Sequence, residues 1–159
     1  MVQALKLAPS TSKRYSIWCF DMPNPYEDYG LLDFFKDAHI LSGGPMTRLQ
    51  HGAYPDIIKR EIERQYPDIG PRVDRGVLDM AINYAGGYDW AARSGLDPQI
   101  TKEQARAYQY MDYGDRPEDS IQDYYENVAG IDAFSGERAT DEELARMAVE
   151  YARGKYQKR

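Results

Sequence analysis

In the run Val77-Leu78-Asp79-Met80-Ala81-Ile82-Asn83-Tyr84-Ala85-Gly86-Gly87-Tyr88-Asp89-Trp90-Ala91-Ala92, apolar side chains recur at three- and four-residue steps: Val77, Leu78, Ala81, Ile82, Ala85, Tyr88 and Ala92. A strand alternates with a period of two, so this spacing predicts a helix, from about Arg72 to Arg93, with a broad apolar face. Gly86-Gly87 falls inside it. Glycine costs about 1 kcal/mol relative to alanine within a helix, so a bend is expected there.

The segments on either side also read as helices. Pro55-Asp56 opens one that carries Ile57, Ile58 and Ile62 to about Tyr66, with Pro67 and Pro71 bracketing its exit. A first helix is expected from about Glu27 to Leu41, where Leu31, Leu32, Phe34, Phe35, Ala38 and Leu41 supply an apolar face before Ser42-Gly43-Gly44-Pro45 ends it. Downstream, Thr101 with Gln104, Asp115 with Glu118, and Thr140 with Glu143 each have the form of a capping box, in which two side chains satisfy orphan backbone donors reciprocally. These predict helices from about Lys102 to Met111, from the Asp115 box to about Phe134, and over a last segment whose Leu144, Met147, Ala148 and Tyr151 share a stripe. The expected fold is mainly α: an orthogonal bundle of about six short helices over residues 27–159, with residues 1–26 an extended N-terminal arm.

One stretch of that arm breaks the helical pattern. Tyr15-Ser16-Ile17-Trp18-Cys19-Phe20 is strand-like, and no second run rich in β-branched and aromatic residues is available to pair with it. A strand cannot satisfy its ladder hydrogen bonds alone. Either it lies extended against the helices or it pairs with another chain, which makes Tyr15, Ile17, Trp18 and Phe20 candidate interaction residues. Asp21-Met22-Pro23-Asn24-Pro25 then redirects the chain, since its two prolines forbid a helix.

Composition bounds the function classes. At 159 residues the chain is long enough for one domain with a real core, and its 42% apolar content is too high for a disordered segment. A formal charge of -6 argues against a general nucleic-acid binder, which needs a cationic footprint on phosphates. Lys6, Lys13 and Arg14 near the start and Arg153, Lys155, Lys158 and Arg159 at the end flank an acidic middle and suit an acidic partner, or simply solvation. Cys19, the only cysteine, excludes an internal disulfide and a cysteine metal site. No segment approaches the roughly 20 apolar residues of a bilayer span, and residues 1–10 lack a signal-peptide core, so a soluble protein is expected.

Two polar stripes are the main chemical candidates. Asp79 and Asn83 stand four apart with Arg75 one turn earlier, and Asp123 and Asn127 stand four apart with Asp119 one turn earlier. Facing each other, they form a hydrogen-bonded carboxylate and amide cluster able to polarise a substrate or hold a cation; facing water, they are solvated surfaces; buried, they can equally be a structural network that fixes helix register. His39 and His51, with Asp33 or Asp37, are acid–base or metal candidates, although their spacing matches no zinc signature and His39 suits an ordinary helix end. Neither a nucleophile elbow nor a phosphate-binding glycine loop is present, and Cys19 reads as a small apolar residue. No metal or cofactor is expected. The 14 tyrosines, several in turns, suit protein interfaces as well as half-buried packing.

The run Asp74 to Gly87, followed by Glu118-Asp119-Ser120-Ile121-Gln122-Asp123-Tyr124-Tyr125-Glu126-Asn127-Val128-Ala129-Gly130, resembles helical proteins encoded by tailed phages and prophages. Related domains often carry a histidine in the first of these helices and Asn-Asn-x-x-Gly in the second. Here the first helix has no histidine, and Glu126-Asn127 replaces the amide pair. The resemblance implies a scaffold more than an activity. The leading expectation is a non-catalytic structural or interaction protein, a virion-associated component of a tailed phage, located in the virion or host cytoplasm and packed on protein subunits or on its own copies. The rival is a helical hydrolase acting on a polymer such as cell wall through Asp79, Asp123 and His39 or His51. A third reading is an acidic regulator of a basic partner, which requires acidic residues gathered on one face.

Overall fold

The computed structural model describes residues 22–38, 54–65, 74–95 and 97–157. Among them are six helices and no strand: α1 (Leu31–Ala38), α2 (Tyr54–Gln65), α3 (Asp74–Ser94), α4 (Pro98–Tyr113), α5 (Pro117–Ala133) and α6 (Asp141–Gln157). The expected all-α bundle is what forms. The strand-like run 15–20 and the rest of the arm before Met22 lie outside the described residues. None of the described helices is long and apolar enough to cross a membrane.

The periodic run sits at the centre. α3 packs against α5 and α6 most extensively, and also against α2 and α4. Its Val77, Ala81, Ala85 and Tyr88 are buried with Ile58 of α2 and with Leu144, Ala148 and Val149 of α6. Burying such side chains contributes roughly 1.5–3 kcal/mol each for the larger ones, which fixes the α2–α3–α6 layer. A second cluster, Trp90, Ala91, Ala105 and Ile131, joins α3 to α4 and α5. Asp89, 1% exposed, is held by Arg93 at 2.6 Å and by Arg138 at 3.1 Å, tying the α5–α6 loop to α3.

Gly86-Gly87 does not break α3, which is helical through both residues. Gly87 has a packing reason instead. A Cβ built on it would lie 2.0 Å from the Asn127 carbonyl oxygen, and one on Gly130 would lie 1.9 Å from the Tyr84 carbonyl oxygen. Two glycines, one on each helix, let the backbones of α3 and α5 meet directly.

Helix starts correct two expected caps. α4 begins at Pro98, with Asp97 accepting from the Gln99 amide at 2.8 Å. Thr101 is therefore one turn inside, buried, with its hydroxyl donating to the Asp97 carbonyl. Asp-Pro outcompetes Thr101–Gln104 because proline at the first helical position is pre-organised and needs no amide partner. The same preference starts α5 at Pro117, so the cap position falls to Arg116, which makes no side-chain capping bond, rather than to Asp115. The third box forms: Thr140 Oγ1 accepts from the Glu143 amide at 3.2 Å, and Glu143 accepts from the Thr140 amide at 2.9 Å.

The first helix is shorter at its start than expected, and of its expected apolar face Phe34 is half-buried while Leu31, Leu32 and Phe35 face outward. Residues 22–29 form a hook: Asn24 accepts from the Tyr26 amide at 2.9 Å, and Tyr26, 3% exposed, packs among Tyr29, Tyr110, Tyr113 and Tyr124. The hook shares α4 with Phe34 of α1, whose ring centroid stands 5.8 Å from that of Tyr110. α1 also buries Asp37, which accepts from the Tyr29 hydroxyl at 2.9 Å and pairs with Arg106 at 3.3 Å. Leu31, Leu32 and Phe35 remain 66%, 86% and 65% exposed.

Candidate functional site

The close approach of α3 and α5 brings the two polar stripes face to face. Asn83 lies four residues before Gly87, and Asn127 lies three before Gly130, so both amides are on the glycine-bearing faces. The Asn127 amide donates to the Asn83 carbonyl at 2.9 Å, and its oxygen accepts from Gln109 of α4 at 3.0 Å. This locks three helices together. The Asn83 side chain is then turned toward α5, where its Nδ2 donates to Asp123 Oδ1 at 2.8 Å and to Glu126 Oε2 at 2.9 Å. Gln122 donates to the other Glu126 oxygen at 2.8 Å.

Two carboxyls thus converge on one amide group. Glu126 is 4% exposed, and burial pushes its carboxyl up to about 8, with the neighbouring Asp123 and Asp79 charges raising it further and the Gln122 and Asn83 donors opposing. Burial likewise pushes Asp123 up to about 7, aided by the charges of Asp119 and Asp79 and opposed by Arg116 and Asn83. The two titrate as a pair. Near neutral pH they hold a proton that ordinary carboxyls would have lost.

Glu126 also forms part of the wall of a half-open cavity of about 80 Å³. Its other walls are Met22 from the hook, Met80 of α3, Gln122 and Tyr125 of α5, and Tyr151 and Lys155 of α6. Tyr151 stacks on Tyr84 with ring centroids 4.7 Å apart, and the Lys155 ammonium stands 5.8 Å from the Tyr151 ring centroid. A protonated acid, an amide, aromatic faces and a cation therefore border one opening. Such a set can donate a proton to a polar group resting against aromatic walls.

Of the residues expected from sequence, Asn83, Asp123 and Asn127 are in direct contact through this network. Asp79 is exposed on α3, and Asp119 is half-buried one turn before Asp123; both act on the pair through their charges. Arg75 belongs to α3, but its side chain is outside the described residues, as are His39, His51, Tyr15, Ile17, Trp18, Cys19 and Phe20. Glu126, Gln122 and Gln109 were not among the expected site residues. Gln109 stands four beyond Ala105 and eight beyond Thr101, so spacing places the three on one face of α4, and it is the structure that shows this face buried. Among the described residues no group of three or more His, Cys, Asp or Glu side chains is arranged to hold a metal ion.

Comparison of this chain with protein-family models, with curated proteins and with solved structures finds no match in any of the three.

Proposed function

We propose that the chain is a small helical enzyme that uses the Asp123–Glu126 pair for acid–base chemistry. The reaction class is hydrolysis, and the substrate a polymer, such as cell wall, that presents a polar linkage at the cavity. The observation that supports this is the bridging of two carboxyls by the single Asn83 amide beside an opening that one of them lines. A network whose sole task was to join helices gains nothing from groups that resist ionisation. Asparagine at 123 and glutamine at 126, with Gln122 turning its amide over, would hold the helices without that cost. Raised carboxyls beside a cavity are what an acid catalyst working near neutral pH requires.

The test is release of soluble fragments from a bacterial cell-wall suspension, followed against pH. The full chain should be active on an acid limb that falls off near pH 8, and Glu126→Gln should lose at least about 100-fold, the usual worth of a general acid. Equal rates in the two proteins would overturn the assignment.

A second reading has its own observation. The exposed Leu31, Leu32 and Phe35 on α1 suit a non-catalytic component of a larger assembly, the virion-associated protein of a tailed phage that the sequence resemblance suggests. It predicts concentration-dependent mass in solution, lost when Leu31 and Phe35 become serine. A monomer at every concentration that also fails to co-assemble with phage tail components would remove it.

A further inference from the structure

Met22 belongs to the hook, yet it stands in the cavity wall beside Glu126, while every other wall residue comes from α3, α5 or α6. It is 41% exposed, so it covers the opening from outside rather than filling a core. The hook is fastened at three points. The Tyr125 hydroxyl donates to the Pro23 carbonyl, Asn24 donates to the Tyr113 hydroxyl at 3.0 Å, and the Tyr26 hydroxyl donates to the Arg106 carbonyl at 3.0 Å. The first of these fastenings uses the residue next to Glu126 in the chain. Tyr125 therefore serves both the hook and the cavity, and any movement of residues 22–24 is felt at the mouth.

From this arrangement we infer that residues 22–24 are a hinged cover over the Glu126 cavity, with Met22 as the part that excludes water and Asn24 and Tyr125 as the catches. The inference rests on the reading of Glu126 as a proton-holding acid and adds its regulation: whatever draws residues 22–24 away from Tyr125 and Tyr113 opens the site. The cover carries no charge of its own, since Met22 and Pro23 are neutral. The charged and titratable groups that face Glu126 are Asp123 on α5, Asp79 on α3, and Tyr151 and Lys155 on α6, all of them outside the hook. Trimming Met22 therefore alters the hydration of Glu126 and leaves its charged neighbours in place.

The experiment is a pH titration of the Glu126 carboxyl carbon by NMR in the full chain, in Met22→Ala, in Met22→Leu and in Asn24→Ala. The wild-type midpoint should lie near 8. In Met22→Ala and Asn24→Ala it should fall by about one pH unit, a tenfold loss of proton affinity, as water enters. Met22→Leu should keep the wild-type value, because a similar apolar volume still covers the mouth. A high midpoint shared by all four proteins overturns the cover and leaves the acid–base reading standing. A wild-type midpoint in the ordinary carboxylate range overturns both.

Discussion

Gly130 has no side chain, and the Tyr84 carbonyl occupies the place where one would begin. Alanine there, or at Gly87, must push α3 and α5 apart, because the obstacle is backbone and not a movable side-chain tip. Overpacking costs typically about 1–3 kcal/mol, and these two positions should reach or exceed the upper end, measured by urea unfolding. Gly86→Ala is the control: nothing lies within 4 Å of its Cβ, so it should gain helix propensity. The carboxyl pair gives the second residue-scale prediction. Both groups have folded values raised above their ordinary 3.8 and 4.5, so the folded protein binds more protons than the unfolded chain across the interval. Their contribution to stability is full below about pH 4 and is lost as pH rises through about 7 to 8, on the order of a few kcal/mol. Asp123→Asn with Glu126→Gln should flatten that slope and make the protein more stable than wild type at pH 9. A wild-type stability that rises steadily from pH 5 to pH 9 would contradict it. Sequence spacing made Asn83, Asp123 and Asn127 legible, since i, i+4 pairs share a face. Glu126 was hidden because its significance depends on how closely α3 approaches, and that distance is set by glycines whose role in sequence reads only as flexibility.

At the scale of elements, helix existence was legible and helix starts were not. Apolar periodicity extends over whole helices, so α2, α3 and α6 follow from it; a start is decided by competition among a few residues. Asp97-Pro98 and Pro117 won over the boxes at Thr101 and Asp115 because proline settles the first helical dihedral by itself. Asp97→Ala should therefore cost about 1 kcal/mol and Thr140→Ala a similar amount, whereas Asp115→Ala should stay within about 0.5 kcal/mol. Thermal unfolding of the three variants checks the order. The spacing on α1 marks an apolar face, and the structure leaves its Leu31, Leu32 and Phe35 exposed. Periodicity reports which side chains share a face, but not whether a neighbour reaches it, and here α4 meets the tyrosine hook and Phe34 while Leu31, Leu32 and Phe35 stay outside.

For the whole molecule, one hydrophobic layer built on α3 and one polar seam between α3 and α5 share the same helix. The layer supplies the stability that the seam's buried acids draw down. Replacing Leu31 and Phe35 by serine should leave stability within about 0.5 kcal/mol, since both side chains already face water, while changing any association the chain makes. Calorimetry and sedimentation on the same samples separate the two effects. The glycine contact has a consequence for kinship. An Asn-x-x-x-Gly helix crossing an Asp-x-x-Glu-Asn-x-x-Gly helix is a demanding fit, so the paired signature Asn83 to Gly87 and Asp123 to Gly130 is a physically grounded fingerprint. Distant cousins whose remaining letters have drifted beyond recognition should still be traceable by those two short words.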